Sequence, residues 1–217
     1  VGIIEEKRAT RRQVEAGDPT PGRSAWWWKI RRGFAERGES MAFDFDAHGA
    51  LLVIDMLNDF IHQEGALVVP GASRIVPRIA ELTREARAQG IPVIYIADRH
   101  RPDDREFQYW PPHAVAGTWG AEVVEELAPA EKDYLIPKRR YSAFFGTDLD
   151  TYLREMGVDK LYLTGVLTNI CVYATALDAA MRNYRVAVFR DGVASLSEET
   201  DAFIFKQLEE VLQAELI

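Results

Sequence analysis

Five short apolar runs, spaced by stretches of helical periodicity, constrain this chain more than any other feature. The first, Ala50-Leu51-Leu52-Val53-Ile54, is unbroken, as a strand buried on both faces should be. The others run from Pro92 to Ile96, Tyr134 to Ile136, Leu161 to Leu163 and Arg185 to Phe189. Between them, residues 73–89 set Ile75, Val76, Ile79, Leu82 and Ala86 on one helical face, and Gly90 is the stop signal. Residues 120–127, 147–156, 169–182 and 198–213 also read as helices, with Thr147 or Asp148 capping the second of these and Gly157 ending it. Strands alternating with helices specify an α/β fold, a parallel sheet covered by helices on both faces.

The 217 residues and 24.6 kDa suit one such domain. Its 47% hydrophobic content supports a sizeable core, and a net charge of −8 argues against nonspecific binding to a nucleic-acid backbone. No apolar run reaches the ~18–20 residues that span a bilayer, and no signal-peptide core is expected, so the expected compartment is the cytoplasm. The single cysteine cannot form an intramolecular disulfide. Residues 1–40 differ from the rest, with nine Lys and Arg against six Asp and Glu, a Gly17-to-Gly22 breaker cluster and Trp26-Trp27-Trp28. They read as a partly ordered extension or as translated upstream sequence ahead of Met41, although a basic-aromatic stretch can also touch an anionic surface. The domain proper is expected over residues 41–217.

In open parallel sheets, ligands bind beyond the carboxyl ends of the strands, so chemistry is sought directly after each apolar run. Asp55 follows the first run. A carboxylate there is partly desolvated and can serve as a base, or it can cap the loop. Asp59, four residues on, reads as a turn cap. Asp98 and His100 follow the second run at a spacing that points both to one side, and His113 can return to them if the polar loop 98–118 folds back. One carboxylate and two imidazoles suit a divalent transition ion. His48 and His62 lack such partners and read as surface residues. Lys138 follows the third run, either as a solvated edge cation or as a charge that holds anions in a cleft. After the fourth run, Thr164-Gly165-Val166-Leu167-Thr168-Asn169-Ile170-Cys171 places Cys171 in the first turn of a helix. There it is either a buried structural thiol or a nucleophile whose thiolate the helix end favours.

With these residues in place, residues 50–217 resemble the cysteine hydrolase superfamily that includes isochorismatase, and most closely the nicotinamidases. Val53 to Phe60 is similar to the family's first-strand motif, Lys138 to Phe144 to the segment around its lysine, and Gly165 to Val172 to the segment ending in its nucleophile. Asp98-x-His100 with Trp110-Pro111-Pro112-His113 resembles the nicotinamidase metal loop. The resemblance implies a three-layer α/β/α fold with a six-stranded parallel sheet and a cis peptide between Val166 and Leu167. It also implies Asp55, Lys138 and Cys171 as catalytic residues, the N–H groups of Leu167 and Cys171 as an oxyanion hole, and Phe60 and Trp110 around a pyridine ring. One divalent ion is expected on Asp98, His100 and His113, zinc first, with iron or manganese as alternatives. Residues 101–109 lack the further histidine of some nicotinamidases, and Leu167 stands where a smaller residue is commoner.

The expected reaction is hydrolysis of nicotinamide to nicotinate and ammonia through a cysteine thioester. Rival expectations are a ureido or N-carbamoyl amidase or an isochorismatase-type hydrolase on the same scaffold, and a redox- or metal-sensing domain without catalysis. A small-molecule amide is the expected partner, with no nucleic acid or membrane, in a homo-oligomer.

Overall fold

The computed structural model of the protein describes residues 42–217; the extension expected over residues 1–40, with its tryptophan cluster, lies outside the described residues. The sheet is built from β1 (Gly49–Ile54), β2 (Val93–Asp98), β3 (Tyr134–Lys138), β4 (Lys160–Val166), β5 (Arg185–Ala194) and β6 (Glu215–Leu216). All pairings are parallel and the order is β3-β2-β1-β4-β5-β6. From β1 the chain therefore fills one half of the sheet through β2 and β3, then returns to the other side of β1 with β4. The two strands at this reversal end side by side, and the loops leaving them part to open a crevice.

Every residue of β1 is buried, which explains the unbroken apolar run. Leu51 and Val53 face one core with Ile79, Leu82 and Ala86 of helix α2 (Val76–Ala88). Ala50, Leu52 and Ile54 face a second core on the opposite side. That side is covered by α3 (Leu149–Glu155), α4 (Tyr173–Met181) and α5 (Glu198–Glu210), which contribute Leu149, Leu153, Ala176, Ala179, Ile204 and Leu208. The result is the expected three-layer α/β/α arrangement. The remaining helix, α1 (Asn58–Ile61), is a single turn directly after β1. Ahead of β1, the Phe45 N–H donates to the Gln89 side chain at 3.0 Å, and the Phe43 and Phe45 rings meet Tyr162 and Phe189 edge-on.

Two readings from periodicity need correction. Residues 120–127 form two short 3-10 turns, Trp119–Ala121 and Glu125–Leu127, rather than a helix. The buried positions Ala121, Val124 and Leu127 recur every third residue, the 3-10 repeat, and the Val124 N–H is taken by the Met56 carbonyl at 3.1 Å. Strands β2 and β3 also run farther than their apolar cores, so Asp98 and Lys138 are the last residues of strands rather than the first of loops. Extended geometry therefore fixes the direction of both side chains.

Candidate active site

Asp55 leaves β1 in a left-handed backbone conformation (φ 53°), which an aspartate tolerates better than most residues. Its Oδ1 accepts the Asp98 N–H at 2.9 Å, and its Oδ2 lies 2.7 Å from Lys138 Nζ. Lys138 Nζ also lies 2.6 Å from Asp98 Oδ1 and 3.5 Å from Cys171 Sγ. The Cys171 sulfur and a carboxylate oxygen of Asp55 lie within 4.8 Å of one another. Three strand ends and one turn thus bring Asp55, Asp98, Lys138 and Cys171 into a single buried cluster.

Charge in this cluster follows from burial and pairing. Desolvation and the nearby Asp98 charge push Asp55 up to about 6, against the pull of Lys138. Burial also works to raise Asp98, but Lys138 and His100 outweigh it and hold the group at about 2. Burial disfavours the Lys138 ammonium, yet the charges of Asp55 and Asp98 keep it well above the ordinary lysine value. At Cys171 burial decides between the two states that the sequence leaves open. Burial raises its thiol well above the ordinary range, and Asp55 and Asp98 add to that while Lys138 opposes it. The resting sulfur is a thiol, so a thiolate forms only when a base takes its proton.

Cys171 sits in a π-turn, Thr168–Val172, ahead of α4, and the Val166–Leu167 peptide preceding that turn is cis, as expected. The Ile170 and Val172 N–H groups both donate to the Leu167 carbonyl, at 3.0 and 3.2 Å. Leu167 and Cys171 both line a cleft above the cluster. Phe60 and Trp110 line it as well, and so do Tyr141, Ile170 and Leu196. Trp110 Nε1 donates to the Tyr141 hydroxyl at 3.2 Å. Among the described residues lining the cleft there is no lysine or arginine.

The loop after β2 folds back as the histidine spacing requires. The His100 N–H donates to the Ala114 carbonyl at 3.0 Å, and the Ala116 N–H donates to the His100 carbonyl at 2.9 Å. Asp59 braces this return. Its Oδ2 accepts the Ala114 N–H at 2.7 Å, and its Oδ1 accepts the Ala66 N–H at 2.9 Å. A Cβ at Gly120 would sit 2.1 Å from Asp59 Oδ2, so only glycine allows the chain to pass there. His113 is thereby carried to His100, with ring centroids 4.8 Å apart.

Donor atoms of Asp98, His100 and His113 lie within 4.8 Å of one another. His100 Nε2 is buried without a hydrogen-bond partner, 3.6 Å from Asp98 Oδ2. His113 Nδ1 is engaged by the Pro111 carbonyl at 2.7 Å, which leaves its Nε2 as the open nitrogen. An orphaned imidazole nitrogen beside a carboxylate and a second imidazole is the environment a divalent transition ion completes, so the residues fit the expected group.

Two acids here escaped the sequence reading. Asp104 and Glu106 are buried beside His100, and Glu106 lines the cleft. Their spacing of four and six residues beyond His100 was the available signal. Of the two other histidines, His48 is exposed, while His62 is half-buried against the Trp119 ring at 5.4 Å.

Comparison with known proteins converges on one group. The sequence profile of the isochorismatase domain matches residues 49–216. Pyrazinamidase/nicotinamidase from Streptococcus mutans UA159 is 39% identical with a TM-score of 0.75, covering 78% of this chain and 99% of that one. N-carbamoylsarcosine amidase from Thermoplasma acidophilum is 39% identical with a TM-score of 0.72, over 77% and 94% of the two chains. Pyrazinamidase of Pyrococcus horikoshii, solved in complex with zinc, is 33% identical with a TM-score of 0.74, over 78% and 98%.

Proposed function

The chain belongs to the isochorismatase family of hydrolases, and on that premise we propose that it hydrolyses nicotinamide to nicotinate and ammonia through a thioester on Cys171. The observation that carries this reading is the joint placement of Lys138 Nζ, 2.7 Å from Asp55 and 3.5 Å from Cys171 Sγ, beneath a cleft lined by the rings of Phe60, Trp110 and Tyr141.

Asp55 takes the Cys171 proton, and the Lys138 ammonium stabilises the thiolate left behind. The sulfur attacks the carboxamide carbon, and the N–H groups of Leu167 and Cys171 receive the charge that develops on oxygen. As the tetrahedral adduct collapses, Asp55 returns its proton to the leaving nitrogen and ammonia departs. Asp55 then accepts a proton from a water that attacks the thioester, and the C–S bond breaks to release nicotinate and restore the thiol. Phe60 and Trp110 hold the flat ring in the cleft while Asp98, His100 and His113 hold one divalent ion. When bound, that ion supplies a Lewis acid for a ring nitrogen, and the zinc-bearing relative supports zinc as its identity.

N-carbamoyl or ureido amide hydrolysis is the second reading, favoured by the likeness to N-carbamoylsarcosine amidase. A substrate with a free carboxylate needs a cation to hold it, and the residues lining the cleft include the acids Asp98 and Glu106 but no lysine or arginine. A neutral pyridine carboxamide therefore suits the cleft better. The deciding measurement is ammonia release from nicotinamide against N-carbamoyl amino acids, with metal content determined in parallel. Release from the carbamoyl compounds alone would transfer the assignment to the second reading.

A further inference from the structure

The two imidazoles of the ion site are held by different devices. His113 is fastened by the carbonyl of its neighbour Pro111. His100 Nδ1 instead faces Asp104 Oδ2 at 3.3 Å, in a pair whose side chains are 0% and 2% exposed. Asp104 is also the N-cap of a 3-10 turn, Arg105–Gln108, where its Oδ1 accepts the Glu106 N–H at 3.1 Å. Arg140 Nη1 lies 3.1 Å from the same Oδ1 and 3.7 Å from Glu106 Oε2. One buried carboxylate thus joins an imidazole, the backbone of a second buried acid and the segment that follows catalytic Lys138.

We propose that Asp104 is the positioning residue of the ion site: by accepting the Nδ1–H of His100 it keeps Nε2 a bare lone pair facing Asp98 and His113, and so sets the affinity for a divalent ion. This rests on the ion-site reading given under Proposed function. A neutral imidazole carries one N–H, so pinning that proton on Nδ1 makes Nε2 the acceptor. The structure leaves that Nε2 buried without a hydrogen-bond partner, 3.6 Å from Asp98 Oδ2. A carboxylate behind a ligating histidine also raises the basicity of the ring and stops its rotation. Arg140 supplies the counter-charge that allows Asp104 to remain buried in this role.

The test measures zinc affinity by competition with a chromophoric chelator, together with the visible absorption of the Co²⁺-loaded protein. Wild type is compared with Asp104→Ala, Asp104→Asn and His113→Ala, and the melting temperature of each ion-free protein is recorded. Asp104→Ala should weaken zinc binding roughly 10–100-fold and shift the Co²⁺ bands, both read at a temperature where the ion-free variant, which also loses the Glu106 cap and the Arg140 pair, is still fully folded. Asp104→Asn, whose amide oxygen still accepts the Nδ1–H, should recover part of the loss. If the alanine variant does not fold, Asp104→Leu, similar in volume but without an acceptor, takes its place under the same criteria. Zinc affinity within twofold of wild type and an unchanged Co²⁺ spectrum would overturn the positioning role. A wild type that binds no zinc, or a His113→Ala variant that binds like wild type, removes the ion site itself. Loss at His113 without loss at Asp104 removes only the present inference.

Discussion

Lys138 serves three neighbours with one charge: two carboxylates within 2.7 Å and a sulfur at 3.5 Å. Its replacement therefore has a structural consequence as well as a catalytic one. Lys138→Met leaves Asp55 and Asp98 buried without a counter-charge, and breaking a buried pair in this way costs about 3–5 kcal/mol. Urea denaturation of the ion-free protein should show that loss, and an unchanged midpoint would contradict the pairing. Cys171→Ala should behave oppositely, abolishing ammonia release while leaving zinc bound, because the proposed ion donors are Asp98, His100 and His113; zinc lost with the sulfur would move the ion to Asp55, Asp98 and Cys171, whose donor atoms also lie within 4.8 Å of one another. Metal analysis beside an ammonia assay separates the two effects. Asp55, Lys138 and Cys171 could be found from sequence because each stands at or just beyond a strand pattern, where the parallel topology dictates convergence. Only their spacing from His100 marks Asp104 and Glu106, since they belong to a loop whose path depends on Asp59 gripping Ala114 from another element. Sequence leaves the charge state of Cys171 open for a related reason. The position at a helix start is visible in sequence, but the desolvation and the facing carboxylates that override it are not.

At the scale of elements, the site depends on how closely β1 and β4 approach at the reversal of strand order. Gly165 has φ 107°, and a Cβ built there would lie 1.9 Å from the Ile54 carbonyl oxygen. Gly165→Ala must spread the two strands whose ends carry Asp55 and the Cys171 turn. Gly90, also left-handed at φ 73°, has nothing within 4 Å of such a Cβ. Gly90→Ala should therefore cost only the backbone term of about 1–2 kcal/mol, whereas Gly165→Ala should exceed it by about 2 kcal/mol or more through overpacking against backbone. Paired denaturation curves test the ordering, and equal losses would mean that the strands can yield. Sequence periodicity located the long elements well because α2 and β1 are one-sided or wholly apolar in their proper repeats. It failed where the repeat is three residues, at 120–127, and where a strand is two residues long, as in β6, whose place comes only from pairing with Ala187 and Val188.

For the molecule as a whole, an ion on Asp98, His100 and His113 would act as a tie across the edge of the sheet. Asp98 ends β2 and is ion-paired to Lys138 at the end of β3, His100 begins the long loop, and His113 lies on the return of that loop. An unfolded chain cannot bring these donors together, so an ion that binds there is linked to folding. With free zinc at a hundredfold its dissociation constant, the linkage is about 2.7 kcal/mol. In a unit of this size that corresponds to a rise in Tm of roughly 5–10 °C. The same reasoning predicts which protein fails to respond. His113→Ala removes a donor but leaves the Ala114 N–H in the grip of Asp59, so its ion-free Tm should fall only by the cost of losing one buried ring while the zinc-dependent rise disappears. Thermal scans of chelator-treated and zinc-reloaded samples of both proteins decide the matter. An equal rise in the two would place the stabilising zinc elsewhere on the surface, and the tie between β2, β3 and the loop would then have to come from protein contacts alone.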